Sequence, residues 1–305
     1  MTQPPFWQPA LERAQIWRTL VGIVLISAGY FAATFGIFIA GAAALDTQPE
    51  ALLSGGTPAG AAVFFATFIG FHITLLIILP LLHKRRYRSL FGPLMGMNWR
   101  QFRYGLYVTA GLGLVYFASM GVEQLILPEA KRPAISPATP LPTWVAWLIP
   151  ALVLIFMQSL AEELVFRGYL LQQLRARFRS VWIWAILPST LFGALHFDAG
   201  TYGINAWFYV LNTAVMGTIA CFITLRTGNL GAAAGLHFAN NAMMLLVGIQ
   251  GDLDGFSLLA MAADPKSAYM TWSILFQTGL STVVFVIWWR WMNTHHPIAK
   301  PATDH

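Results

Sequence analysis

Long apolar runs, each closed by a short polar or basic segment, recur along the whole chain. The first covers about residues 19–45, the second 58–82, where it stops at His83-Lys-Arg-Arg-Tyr-Arg88, and the third 104–127. Further runs follow at about 143–174, 181–197, 206–225, 230–249 and 269–291. A helix crosses the hydrocarbon of a bilayer with about 20 apolar residues. The pattern therefore predicts an all-α, polytopic membrane bundle of about eight transmembrane helices. Barrel strands would alternate polar and apolar over about 10 residues, and the chain has no such segments. The first run exceeds the about 7–15 apolar residues of a signal peptide, so an uncleaved helix is expected there. Between the third and fourth runs, residues 128–142 hold five prolines in 15 positions. Such a segment cannot continue a helix and reads as an extended external loop.

Composition agrees with this reading. Of 305 residues, 57% are hydrophobic and 10% charged, against about 25% charged in soluble domains. The net charge of +6 belongs to membrane topology and is no sign of nucleic-acid binding. Placing both termini in the cytoplasm puts fourteen of the eighteen Lys and Arg inside and leaves Lys131, Arg132 and Lys266 outside, with Arg167 in the membrane. That asymmetry is the positive-inside pattern. The expected location is a bacterial inner membrane. The lone cysteine, Cys221, lies in an apolar run and is expected to pack as a small hydrophobe. The chain then divides into a cytoplasmic tail (1–18), three helices with the Pro-rich loop (19–142), a core of four helices (143–249), and an acidic external loop, last helix and tail (250–305).

The chemistry is concentrated in that core. Glu162 and Glu163 are adjacent within an apolar run, with Arg167 one turn on, in a chain with only 12 acidic residues. Charges at mid-bilayer cost about 3 kcal/mol even on lenient scales, so intramembrane ionisable groups point to function. Glu163 and Arg167 share a helix face and can pair, whereas Glu162 points about 100° away. His196 closes Phe192-Gly-Ala-Leu-His196, and His237 and Asn241 lie four apart on the seventh run. The fourth and fifth helices form a hairpin with Glu162 and His196 at similar distances from its turn, roughly 25 Å at helical rise. Two readings of this set stand. In one, Glu162, Glu163, His196 and His237 hold zinc and an activated water, although no His-Glu-x-x-His motif is present. In the other no cofactor is required: Glu162, aided by His196, removes a proton from water, and His237 and Asn241 donate to the oxyanion.

In order and spacing these motifs resemble the CAAX protease and bacteriocin-processing (Abi) family of intramembrane proteases. They stand here as Glu162-Glu163-Leu-Val-Phe-Arg167, Phe192-x-x-x-His196 and His237-x-x-x-Asn241. The resemblance covers roughly residues 143–249. It implies an eight-helix bundle with a catalytic cavity open within the membrane. It also implies catalytic roles for Glu162, His196, His237 and Asn241, with Glu163, Arg167 and Phe192 supporting. Members are often labelled metalloproteases, while the best-understood prenyl-protein endopeptidases resemble glutamate-dependent enzymes. The substrate implied is a membrane-associated or lipidated protein or peptide, and the other partner is the bilayer.

Two rival classes use the same residues: a transporter or proton-coupled channel, and a non-catalytic scaffold or immunity protein. Flux without hydrolysis distinguishes the first, and motif variants that keep the phenotype distinguish the second. Neither the oligomeric state nor the natural substrate is legible. His72 and Asn212 are expected to serve helix packing, Asp198 to sit at an outer helix end, and residues 84–88 to set topology.

Overall fold

The structure is a computed structural model and describes residues 4–129 and 132–295. Lys131 and Lys300, which enter the charge count above, lie outside the described residues. Helices dominate: α1 Ile16–Ala44, α2 Pro58–Ala66, α3 Ile69–His83, α4 Trp99–Ile126, α5 Leu141–Glu163, α6 Leu171–Arg177, α7 Leu187–Ala194, α8 Ala199–Tyr202, α9 Asn205–Thr227, α10 Gly231–Ala242 and α11 Ala268–His295. A π-helical segment, Leu164–Leu170, joins α5 to α6 into one 37-residue rod, and a second, Trp182–Ile186, leads into α7. Among the described residues, six helical stretches are long and apolar enough to cross a membrane. The protein is an integral membrane bundle.

The other two expected spans are short. The fifth is a 13-residue helix, Trp182–Ala194. The seventh stops as α10 after 12 residues, about 18 Å at helical rise and well short of the about 30 Å hydrocarbon. After α10 the chain turns at Met243–Leu245 and enters β2, Val247–Ile249. β2 runs parallel to β3, Leu259–Ala262, and β3 pairs antiparallel with β1, Ala134–Pro137, in the order β1-β3-β2. The Pro-rich segment is thus extended, as expected, but is also tied into a sheet at the bundle end. Trp144 Nε1 donates to the Leu245 carbonyl at 2.8 Å and fastens this cap to α5.

Element boundaries follow local chemistry. Thr57 caps α2 by accepting from Gly60 N, with Pro58 in the first turn, where its missing N–H costs nothing. Asn98 caps α4 through Arg100 N and Gln101 N. Gly228 ends α9 at φ 68°, a left-handed stop that glycine adopts without strain. Asn229, next to it, is 1% exposed and satisfied on both sides. Its Nδ2 donates to the Phe91 and Gly96 carbonyls, and its Oδ1 accepts from Asn98 N and Gly231 N. This side chain locks the start of α10 to the start of α4.

The small-residue face of α10 does the rest. A Cβ on Gly235 would collide with the Phe102 carbonyl, and one on Gly105 with the Ala232 carbonyl. The α4 and α10 backbones therefore touch, as small residues allow between membrane helices. α9 packs against α7 on one side and α11 on the other; Asn212 Nδ2 donates to Thr278 Oγ1 at 2.7 Å across the α9–α11 pair. His72 engages the Tyr87 hydroxyl and the Met157 carbonyl with its two nitrogens, bridging α3 to α5. Asp198 caps α8 by accepting from Thr201 N at 3.0 Å. Cys221 is buried at 1% exposure.

Candidate active site

The site lies where the end of α5, the π-helical segment and α10 meet, with α7 and α9 behind. Glu163 is 1% exposed and Arg167 3% exposed. The Arg167 Nη1 donates to Glu163 Oε1 at 2.8 Å. The same oxygen lies 2.9 Å from His237 Nδ1, and His237 Nε2 lies 3.3 Å from Glu162 Oε2. The imidazole thus bridges the two adjacent carboxylates, and a four-member chain runs Arg167–Glu163–His237–Glu162. Arg167 sits inside the π-helical segment. Such widened turns are rare and recur at functional sites.

His237 Nδ1 is hydrogen-bonded to Glu163 Oε1, while its Nε2 stands in a longer ion-pair contact with Glu162 Oε2. His196 differs. Its Nδ1 lies 2.9 Å from the Phe192 carbonyl. A carbonyl only accepts, so Nδ1 bears the hydrogen and the neutral ring keeps an acceptor lone pair on Nε2. One histidine is arranged as a donor and the other as an acceptor.

Phe192 explains its own place in the motif. Its ring lies 5.0 Å edge-on from His196 and 6.3 Å from His237, and the Arg167 guanidinium sits 5.0 Å above it. It is both the shelf for the cation and the wall between the histidines. Asn241 Nδ2 donates to Gln158 Oε1 at 2.8 Å and reaches Ser159 Oγ at 3.4 Å. It faces α5 one turn before the glutamates.

Three features differ from the sequence-based picture. Glu162 is not free: its recorded contact is with His237. His196 is not within the helix but in the turn after α7, half-buried, and no hydrogen bond joins it to Glu162 among the described residues. α7 ends at Ala194, and His196 in the turn beyond it packs against Phe192. As a zinc shell, Glu162, Glu163, His196 and His237 do not fit as arranged. Both His237 nitrogens face carboxylates, one oxygen of Glu163 is taken by Arg167, and no group of three or more His, Cys, Asp or Glu among the described residues is placed to hold a metal.

Other contributors are invisible to motif reading. Gly217 on α9 makes room for the guanidinium: a Cβ there would lie 3.0 Å from Arg167 Nη2. Gln158 and Ser159 orient Asn241. Tyr209 on α9 stands with its ring 6.2 Å from His196 and stacks on Tyr202 at 5.3 Å. The Tyr202 hydroxyl donates to Asp252 at 2.6 Å. Burial, and then that bond, push the Tyr202 hydroxyl well above its ordinary range, which keeps it a donor. Helical spacing from Asn241 back to Gln158 requires the α5–α10 packing, which no local signal encodes.

With this geometry in hand, the comparisons with known proteins can be placed on it. Residues 143–243 match the family model described as type II CAAX prenyl endopeptidase Rce1-like. The match covers about a third of the chain and is a similarity of that segment to the family. The matched segment begins with α5 and ends just past α10, so it contains every residue of the polar chain together with Phe192, His196 and Asn241. The resemblance read from the three motifs falls within this matched segment, whose similarity is to a protease family. The chain is also similar to the protein YyaK of Bacillus subtilis (strain 168), itself uncharacterized, with 29% identity over 164 residues, 53% of this chain and 52% of YyaK. It thus spans about half the length of that curated relative. No solved structure matches the chain.

Proposed function

We propose that this protein is a glutamate-dependent intramembrane endopeptidase acting on membrane-associated or lipidated peptides. The observation that carries the reading is the Arg167–Glu163–His237–Glu162 chain inside an apolar bundle. Glu162, the outermost carboxylate of that chain and 12% exposed, takes the proton of the attacking water. His196, with its Nε2 lone pair available, assists on the same side. As Glu162 turns from His237 Nε2 to the water, that nitrogen and the Asn241 amide together receive the charge that develops on the scissile carbonyl oxygen. In this scheme the carbonyl oxygen replaces the long Asn241–Ser159 contact, so Asn241 strengthens one hydrogen bond as the negative charge appears. Glu163 and Arg167 position His237. Arg167 neutralises the pair so that a second carboxylate can stay ionised nearby.

The reading is tested by cleavage of a peptide library in detergent micelles, with and without a strong chelator. Cleavage that persists unchanged under chelation is expected. Activity lost to the chelator and restored by zinc would overturn the metal-free scheme and bring the two histidines and two glutamates into a metal shell.

The accompanying proposal on topology places both termini in the cytoplasm of a bacterial inner membrane. In a Cys221→Ser background, Arg179→Cys is expected to react with a membrane-impermeant maleimide only in inverted vesicles, and Lys266→Cys only in intact cells. The opposite labelling would reverse the orientation.

A further inference from the structure

A cavity lies against a different face of α10 from the polar chain. It has a volume of about 730 Å³ and is walled by α4, α9, α10 and α11. α4 and α11 are pinned together near one end. There the Tyr116 and Ser273 hydroxyls lie 2.8 Å apart, the Tyr269 hydroxyl donates to Glu123 at 2.8 Å, and Met120 packs with Met270. Away from that pin the two helices diverge, and a cleft opens between them with α9 and α10 as its floor.

The cleft is an amphiphile's shape. Its α4 wall runs from Arg100 to Tyr116, about 24 Å at helical rise, more than the roughly 15 Å depth of one leaflet's hydrocarbon. Between those ends the lining is mostly apolar, with Val108, Leu112, Ile219, Leu236 and Val284 typical and Thr109, Asn240, Gln277 and Ser281 among them. At the open end sits a cation. Arg100 lines the cleft, and its Nε donates to the Tyr104 hydroxyl at 2.9 Å, which fixes the guanidinium beside the mouth. Trp99, Trp288 and Trp291 gather at the same end, as aromatic residues do at a membrane–water interface. The mouth is therefore at headgroup level and positively charged, and the cleft below it is at acyl-chain level.

We infer that this cleft is a binding site for one glycerophospholipid of anionic headgroup, with an acyl chain lying between α4 and α11 and its phosphate region held by Arg100. Charge complementarity at the mouth decides for an anionic lipid over a zwitterionic one. The cleft shares no side chain with the polar chain. Their meeting point is α10, where Leu236 and Asn240 face the cleft and His237 and Asn241 face the site. Asn240 Nδ2 donates to Asn241 Oδ1 at 3.2 Å. A seated chain would buttress the outer face of the helix that carries both residues. The inference does not rest on the proposed proteolysis.

The test is native mass spectrometry of the delipidated full-length protein in detergent, titrated with dioleoyl phosphatidylglycerol or dioleoyl phosphatidylcholine. Wild type is expected to take up one phosphatidylglycerol with about tenfold preference over phosphatidylcholine. Arg100→Gln is expected to bind both lipids alike, at the weaker level. Val108→Trp fills the cleft from an exposed position and is expected to lose tight binding of both lipids while its thermal unfolding is unchanged. Equal binding of the two lipids by wild type would overturn the inference. So would a preference that survives in Arg100→Gln, binding undiminished in Val108→Trp, displacement of the lipid by a prenylated peptide, or a wild-type dimer that Val108→Trp converts to monomer.

Discussion

Replacing Glu162 with glutamine should lower kcat for peptide cleavage by about 10³-fold, within the about 10²–10⁴ that a positioned acid–base group contributes. The amide keeps the size of the carboxylate and can still accept from His237 Nε2, which lies 3.3 Å from the native oxygen. What it cannot do is take a proton from water. KM should change little, because the loss falls on the chemical step alone. The protein should stay folded, since Glu162 retains contact with solvent and is not the buried member of the pair. Steady-state cleavage by purified wild type and variant, with unfolding temperatures measured alongside, decides the matter. A Glu162→Gln protein with wild-type turnover would remove Glu162 from the mechanism. A folded wild type that never cleaves but supports solute flux in liposomes would favour the transporter class.

The second large effect concerns stability. Arg167→Met should destabilise the protein by about 3–5 kcal/mol, the usual cost of removing one partner of a buried ion pair. Glu163 is 1% exposed, and its other oxygen, Oε2, has no hydrogen-bond partner among the described residues. Without the guanidinium it would depend on His237 alone. Methionine fills much of the volume beside Phe192 and Gly217, so the loss measures charge more than packing. Adding Glu163→Gln to Arg167→Met should recover most of the stability, because the uncompensated charge is then gone, while catalysis stays low because His237 has lost its anchoring carboxylate. Thermal unfolding in detergent reads both variants. If Arg167→Met unfolds like wild type, the pair is not what holds this corner of the bundle.

These two predictions separate residues that the sequence treats alike. Glu162 and Glu163 are neighbours of the same type, and helical geometry alone says only that they point about 100° apart. The structure buries one against Arg167 and leaves the other 12% exposed. That division comes from the packing of α7 and α9 around Arg167, where Phe192 and Gly217 shape the pocket for the guanidinium.

What the sequence determined by itself is whatever depends on local composition and short spacing. Apolar run lengths placed the membrane helices, because each must satisfy its backbone internally in hydrocarbon. The i,i+4 spacing placed Glu163 with Arg167, and His237 with Asn241, on common faces. The three motifs pointed to the family whose model matches residues 143–243. Only the tertiary structure decided the rest. α10 is too short to span because the chain after it joins a three-stranded sheet, whose β1 and β3, paired from Ala134↔Ala262 to Pro137↔Leu259, are too far apart in the chain to leave a local signal. His237 bridges both carboxylates because Asn229 and the glycines of α10 set the depth and closeness of that helix against α4. His196 lies in the turn after α7 because that helix ends at Ala194. The lipid-sized cleft exists because α4 and α11 are pinned at one end only. Each of these is a matter of which faces meet at what distance, set by long-range packing rather than by the residues next door.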